Sequence, residues 1–165
     1  MRARTEAWLL ISVTLVTLSA SAAAESAAIP VAPSHVKVCA SAKAVCASLE
    51  IAPVDTAQGR RGYRWGGEDI EPPSTLLSQL TATVRGQDAF IPLSAFADLG
   101  NPRIVELRAT RQGFDLIILG GDASASYRAV LVFEGNTLTR RKVQHAEFPN
   151  EAWEETRYKF NQEKN

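Results

Sequence analysis

Between residues 104 and 143 the chain carries four short runs rich in β-branched and large apolar residues, separated by three brief links that each carry glycine. The runs are 104–110 (IVELRAT), 114–119 (FDLIIL), 127–133 (YRAVLVF) and 138–143 (LTRRKV). Links this short join antiparallel neighbours, because a parallel return needs a crossover of a dozen or more residues. The spacing therefore predicts a meander. The second and third runs are apolar at nearly every position, which predicts central strands covered on both faces. The first and fourth alternate charge with hydrocarbon, which predicts one wet face each.

Further strand signals flank this block. Residues 36–39 (VKVC) and 45–51 (VCASLEI) read as one hairpin, and 80–85 (LTATVR) and 89–93 (AFIPL) as another, turned by Gly86, Gln87 and Asp88. Pro92 ends its strand or confines it to an edge, since it cannot donate to a ladder. Residues 94–99 (SAFADL) predict one or two helical turns, with Ser94 as cap and Gly100 as stop. At the C-terminus, Trp153, Arg157 and Phe160 have helical spacing, whereas Thr156, Tyr158 and Phe160 alternate as a strand does. The balance tips to a helical turn over 151–155. The predicted fold is mainly β: a single antiparallel β-sandwich or partly open barrel of six to eight strands with one short helix.

The first 24 residues predict a cleaved signal peptide. Arg2 and Arg4 precede an uncharged run, 8–18 (WLLISVTLVTL), too short to cross a bilayer core of about 30 Å comfortably. Small residues follow, with small-x-small patterns at 20–22 and 22–24. No later segment is long and apolar enough to span, so no membrane span is expected after cleavage. Residues 25–34 (ESAAIPVAPS) predict a flexible lead-in, and 35–165 a single β-rich domain. The expected location is periplasmic or secreted. In an oxidising compartment Cys39 and Cys46 predict a disulfide, six intervening residues being wrong for a redox pair and two thiols being half a zinc site at most. Closing so short a loop contributes about 2.5 kcal/mol on the chain-entropy account.

Composition narrows the function classes. Apolar residues make up 45% of the chain and charged ones 22%, too apolar for disorder. Removing the leader takes Arg2, Arg4 and Glu6, leaving 16 basic against 17 acidic side chains, with no field to steer nucleic acid or anionic lipid. Two His and two Cys predict no metal centre, and no motif calls for a cofactor.

Two segments hold candidate chemistry. The loop at 52–73 carries Arg60, Arg61, Tyr63, Arg64 and Trp65 among glycines, the cation–aromatic mixture that dominates binding hot spots. Its plainer reading is a Trp65 plug at the core's edge with hydrated arginines. The second segment is 120–126 (GGDASAS), where Asp122 with Ser124 or Ser126 needs His35 or His145 to form a hydrolase triad. No G-x-S-x-G elbow is present, and a wide turn capped by Asp and Ser explains the same residues. Arg140, Arg141 and Lys142 alternate between strand faces and read as a charged, solvated edge. The carboxylates at Glu68, Asp69 and Glu71, and at Glu151, Glu154 and Glu155, cluster locally and read as solvated faces rather than an acid–base pair.

These observations favour an exported, non-catalytic binding module, an inhibitor, immunity or accessory protein, whose partner is a protein or envelope component. The alternatives are a small envelope-directed hydrolase using Asp122, Ser124 or Ser126 with a His, and a structural envelope component.

Overall fold

Alternating burial along each strand divides the chain into two sheets that share one hydrocarbon layer. The computed structural model describes residues 26–31, 34–40, 44–54, 72–150 and 152–160. Among the described residues ten strands are formed: β1 (Ser26–Pro30), β2 (His35–Ala40), β3 (Val45–Pro53), β4 (Thr75–Val84), β5 (Gln87–Asp88), β6 (Pro102–Ala109), β7 (Gly113–Gly120), β8 (Tyr127–Glu134), β9 (Thr137–His145) and β10 (Ala152–Arg157). They make a six-stranded sheet in the order β1-β6-β7-β8-β9-β10 and a four-stranded sheet in the order β2-β3-β4-β5. Every strand pairing is antiparallel, and the sheets pack as a β-sandwich. The predicted meander is β6 to β9, with the two most apolar runs, β7 and β8, in the middle of their sheet.

The core follows from the pairing. Phe114, Leu116 and Ile118 of β7 stand opposite Phe133, Leu131 and Ala129 of β8, and all six are buried. The Phe114 and Phe133 rings stack with centroids 4.3 Å apart and planes within 7°. From the other sheet, Val36, Val38, Val45, Ala47, Leu49 and Leu80 close on this layer. Each fully buried Leu, Val or Phe contributes about 1.5–3 kcal/mol of transfer free energy. Gly120 leaves room at one end: a Cβ there would stand 2.3 Å from the Tyr127 hydroxyl, which donates to the Gly100 carbonyl at 2.9 Å.

Several local expectations change. Residues 26–30 of the lead-in form β1, whose backbone completes the edge of β6. The 94–99 helix is a single 3-10 turn, Leu93–Ala95, with Pro92 at its N-cap and no side-chain cap from Ser94. The second hairpin turns tightly on Arg85 and Gly86, so Gln87 and Asp88 are strand, and Pro92 lies outside it. Residues 152–157 are strand rather than helix, because the unpaired edge of β9 offers those backbone groups partners that a lone helical turn lacks. That pairing also makes β9 an interior strand, not the solvated edge predicted for it.

One insertion matters most. Val132 pairs with Arg140 but Phe133 pairs with Leu138, so Thr139 is an extra residue in β9. Its hydroxyl donates to the Val132 carbonyl at 3.2 Å. Such a bulge shifts the side-chain phase of the strand. Arg141 is thereby placed opposite Leu131 on the inner face, while Arg140 and Lys142 point outward.

Candidate ionic cleft beside an aromatic rim

Six strands exceed what four can cover, and beneath β9 and β10 the cover is the connection from β5 to β6. This connection is anchored at both ends. Phe90 bridges Thr137 and the Asn136 amide donates to the Asp88 carbonyl, while Leu76 bridges Gly100. Between these anchors the 3-10 turn brings Asp98 under the inner face of β9.

Arg141 is the centre of the arrangement. Its side chain is 2% exposed, and its two terminal nitrogens donate to Asp98 Oδ2 and Glu154 Oε1, each at 2.5 Å. Glu154 Oε1 also accepts from Thr156 Oγ1 at 2.8 Å. Burial alone would weaken the guanidinium's hold on its proton, but the two carboxylates more than reverse that, and its pKa is raised. Burial likewise opposes ionisation of Glu154, yet hydrogen bonds from Arg141 and Thr156 and the Arg141 charge hold its carboxyl below the ordinary value.

Among the described residues, two polar atoms here have no hydrogen-bond partner. Arg141 Nε and the Tyr158 hydroxyl oxygen are both shielded from solvent without a hydrogen bond. Burial pushes the Tyr158 pKa up, an effect partly offset by the Ser94 hydroxyl beside it. Both residues line a cleft of about 460 Å³ whose remaining walls are the 3-10 turn, Asp98, Glu154 and Thr156. At its mouth Leu93 is 69% exposed. Phe160 stacks on Tyr158 with centroids 6.1 Å apart and meets Phe90, itself 65% exposed, edge-on at 5.2 Å. An ionic floor therefore adjoins a rim of exposed hydrocarbon.

The residues singled out from the sequence fare differently. Arg60, Arg61, Tyr63, Arg64 and Trp65 lie outside the described residues, as do 1–25. Cys39 and Cys46 form the disulfide, joining directly paired residues of β2 and β3. In the triad segment, the Asp122 carboxylate accepts from the Ala123 N–H at 2.8 Å, capping a 3-10 turn, and Ser126 is buried. His145 does reach this loop, but Nε2 meets the Ser124 carbonyl at 3.1 Å and Nδ1 accepts from the Glu147 N–H at 3.1 Å. Those partners assign the neutral Nε2–H tautomer and occupy both nitrogens with main chain, leaving none for a serine hydroxyl. His35 sits on β2 in the other sheet, opposite Glu50.

Among the described residues no group of three or more His, Cys, Asp or Glu is placed to hold a metal ion, and no helix is long and apolar enough to cross a membrane. A second groove, of about 350 Å³, lies at the hairpin tips between Arg85 and Arg111. Neither arginine forms an ion pair among the described residues. No family model matches the chain, and no curated protein or solved structure is detectably similar to it.

Arg141, Asp98 and the rim were not legible as a site. Arg141 carries no sequence signal beyond a basic run, and its partners are 43 residues upstream and 13 downstream.

Proposed function

We propose that the protein is an exported, non-catalytic binding module, an inhibitor, immunity or accessory protein, that docks a protein partner on the Phe90–Leu93–Phe160 rim. The observation that carries this reading is the exposure of Phe90 and Leu93, two large apolar side chains held in water on an anchored connection. Exposed hydrocarbon beside polar groups is the composition of a recognition surface, where aromatic anchors supply most of the energy. Export is supported by the leader-like N-terminus and by the disulfide. Arg60, Arg61, Tyr63, Arg64 and Trp65 are retained as candidate contacts on composition alone.

Affinity capture from an envelope extract tests the reading, comparing the wild type with Phe90→Ser/Leu93→Ser. The captured protein should be lost in the double variant while circular dichroism and thermal melting stay unchanged. Equal capture by both removes the rim from the proposal. Stable homo-oligomers by sedimentation, with no captured partner, favour the structural envelope component instead. The hydrolase alternative requires turnover that disappears in Ser124→Ala or Ser126→Ala.

A further inference from the structure

At the hairpin tips positive charge gathers without a counter-charge. The polar residues lining the groove there are Arg85, Gln87, Arg111, Gln112 and Asn136, and Val45 and Val84 form its apolar wall. Among the described residues no carboxylate lines it. Acids are close at hand, Asp88 opposite Thr83 and Glu134 opposite Gly113, yet neither lines the groove nor pairs with either arginine. A guanidinium only donates, so Arg85 and Arg111 bring ten N–H donors between them and no acceptor.

The turns that carry these residues are fastened to one another. The Gly135 N–H donates to the Gln112 carbonyl at 2.9 Å, joining the β6–β7 and β8–β9 turns. The Asn136 amide reaches across to the Asp88 carbonyl at 3.4 Å and so ties the six-stranded sheet to the four-stranded one. The Arg85 N–H donates to the Ala44 carbonyl at 2.9 Å, fixing the β4–β5 turn against the start of β3. The two arginines therefore face the groove from different sheets on a cross-linked frame.

Arg85 also occupies a position that suits it badly. It and Gly86 form a two-residue turn with φ of 52° and 78°, the left-handed backbone for which Asn-Gly is the favoured pair. An arginine here costs stability that asparagine would not, and strain of this kind accompanies binding sites.

We infer that the groove is a binding site for a small dianion, a phosphate monoester or a dicarboxylate, held between Arg85 and Arg111. A monoanion neutralises one guanidinium; a dianion satisfies both, with charge-assisted hydrogen bonds to each. The volume of about 350 Å³ lies at the small end of ligand sites, so the occupant is a small molecule rather than a chain. The site shares no residue with the Phe90–Leu93–Phe160 rim and stands whether or not a partner docks there.

Titration of the isotope-labelled protein with inorganic phosphate, succinate and acetate, at constant ionic strength, tests the inference through amide and arginine Nε–H chemical shifts. Phosphate or succinate should shift residues 85–87, 111–113 and 135–136 saturably, with half-saturation at about 1–10 mM, the range of two charge-assisted contacts. Saturation by phosphate alone assigns the phosphate monoester, and by succinate alone the dicarboxylate. Acetate should bind at least about fivefold more weakly. Arg85→Asn and Arg111→Gln should each weaken the dianion about fivefold, and Arg103→Gln, at an exposed arginine outside the groove, should leave it unchanged. Because asparagine suits the turn, Arg85→Asn should melt no lower than the wild type. Equal shifts with acetate, no saturation by about 50 mM, or an equal effect of Arg103→Gln overturns the site. So does an Arg85→Asn protein that melts lower yet titrates like the wild type, which returns Arg85 to a structural role. Phe90→Ser/Leu93→Ser should titrate unchanged, so loss of capture and loss of the anion site are read separately.

Discussion

Leu131 and Arg141 face each other across one ladder, on the same side of the same sheet, yet they stand in opposite environments. Around Leu131 the inward neighbours other than Arg141 itself are hydrocarbon: Leu116 on the opposite side, Phe133 and Ala129 along the strand, and the four-stranded sheet across the core. Around Arg141 the inward neighbours are Asp98, Glu154, Thr156 and Tyr158. The change happens within one strand spacing, about 4.8 Å. A sandwich with unequal sheets has a dry centre and a margin, and at the margin polar side chains can point inward as long as they find partners. Here the connection through Asp98 supplies the partner from below and β10 supplies it from the side.

The comparison predicts unequal costs. Leu131→Ala should have the largest effect, about 2–5 kcal/mol of stability lost in chemical denaturation, because the cavity is enclosed on all sides. A loss under about 1 kcal/mol would mean that the centre is less tightly packed than its burial implies. Arg141→Ala should lose less, about 2–3 kcal/mol, since the orphaned carboxylates at the margin can recover water. Arg141→Met, which keeps the aliphatic stem, should recover about 1 kcal/mol of that. Were Arg141→Ala to equal Leu131→Ala in cost, the margin would be as closed as the centre.

The smallest effect is electrostatic and its sign depends on pH. Glu154 has a folded pKa below the ordinary 4.5, so its contribution is complete above that value and is lost as pH falls through the folded value. Glu154→Gln should therefore cost under about 1 kcal/mol at neutral pH, discounted for exposure, and the difference should vanish in acid. Asp115, on the outer face of β7, has the opposite bias: burial, only partly offset by Arg108, Arg140 and Arg128, raises its pKa above 3.8. Its contribution is present in acid and lost as pH rises, so Asp115→Asn should gain relative to wild type between acid and neutral pH. Denaturation midpoints measured across that range check both slopes, and parallel slopes would contradict both assignments.

Much of the centre was readable from sequence. The apolar runs of β7 and β8 announce buried strands, and glycine-bearing links of a few residues dictate their antiparallel order. The margin was not, for a specific reason. Strand alternation counted through 138–143 has Leu138, Arg140 and Lys142 on one face, and a bulge at Thr139 reverses that for everything after it. Nothing in Thr-Leu-Thr-Arg-Arg announces the extra residue. Residues 152–157 were ambiguous because Trp153, Arg157 and Phe160 fit a helix as well as Thr156, Tyr158 and Phe160 fit a strand; a distant pairing with β9 decided between them. Phe90 and Leu93 read as ordinary strand residues until their exposure distinguished them.

The bond between Cys39 and Cys46 joins residues that the ladder already holds 4.1 Å apart at their α-carbons, so it brings together nothing distant. What it forbids is sliding. A one-residue slip of β2 along β3 would turn Val36, Val38 and Ala40 to water and His35, Lys37 and Cys39 to the core. β2 is a terminal strand of its sheet, hydrogen-bonded to a neighbour on one side, and terminal strands are where slippage and edge-to-edge association begin. Under reducing conditions the fold should therefore fail first as fraying of this one hairpin, with protection from hydrogen exchange falling in β2 while β7 and β8 keep theirs.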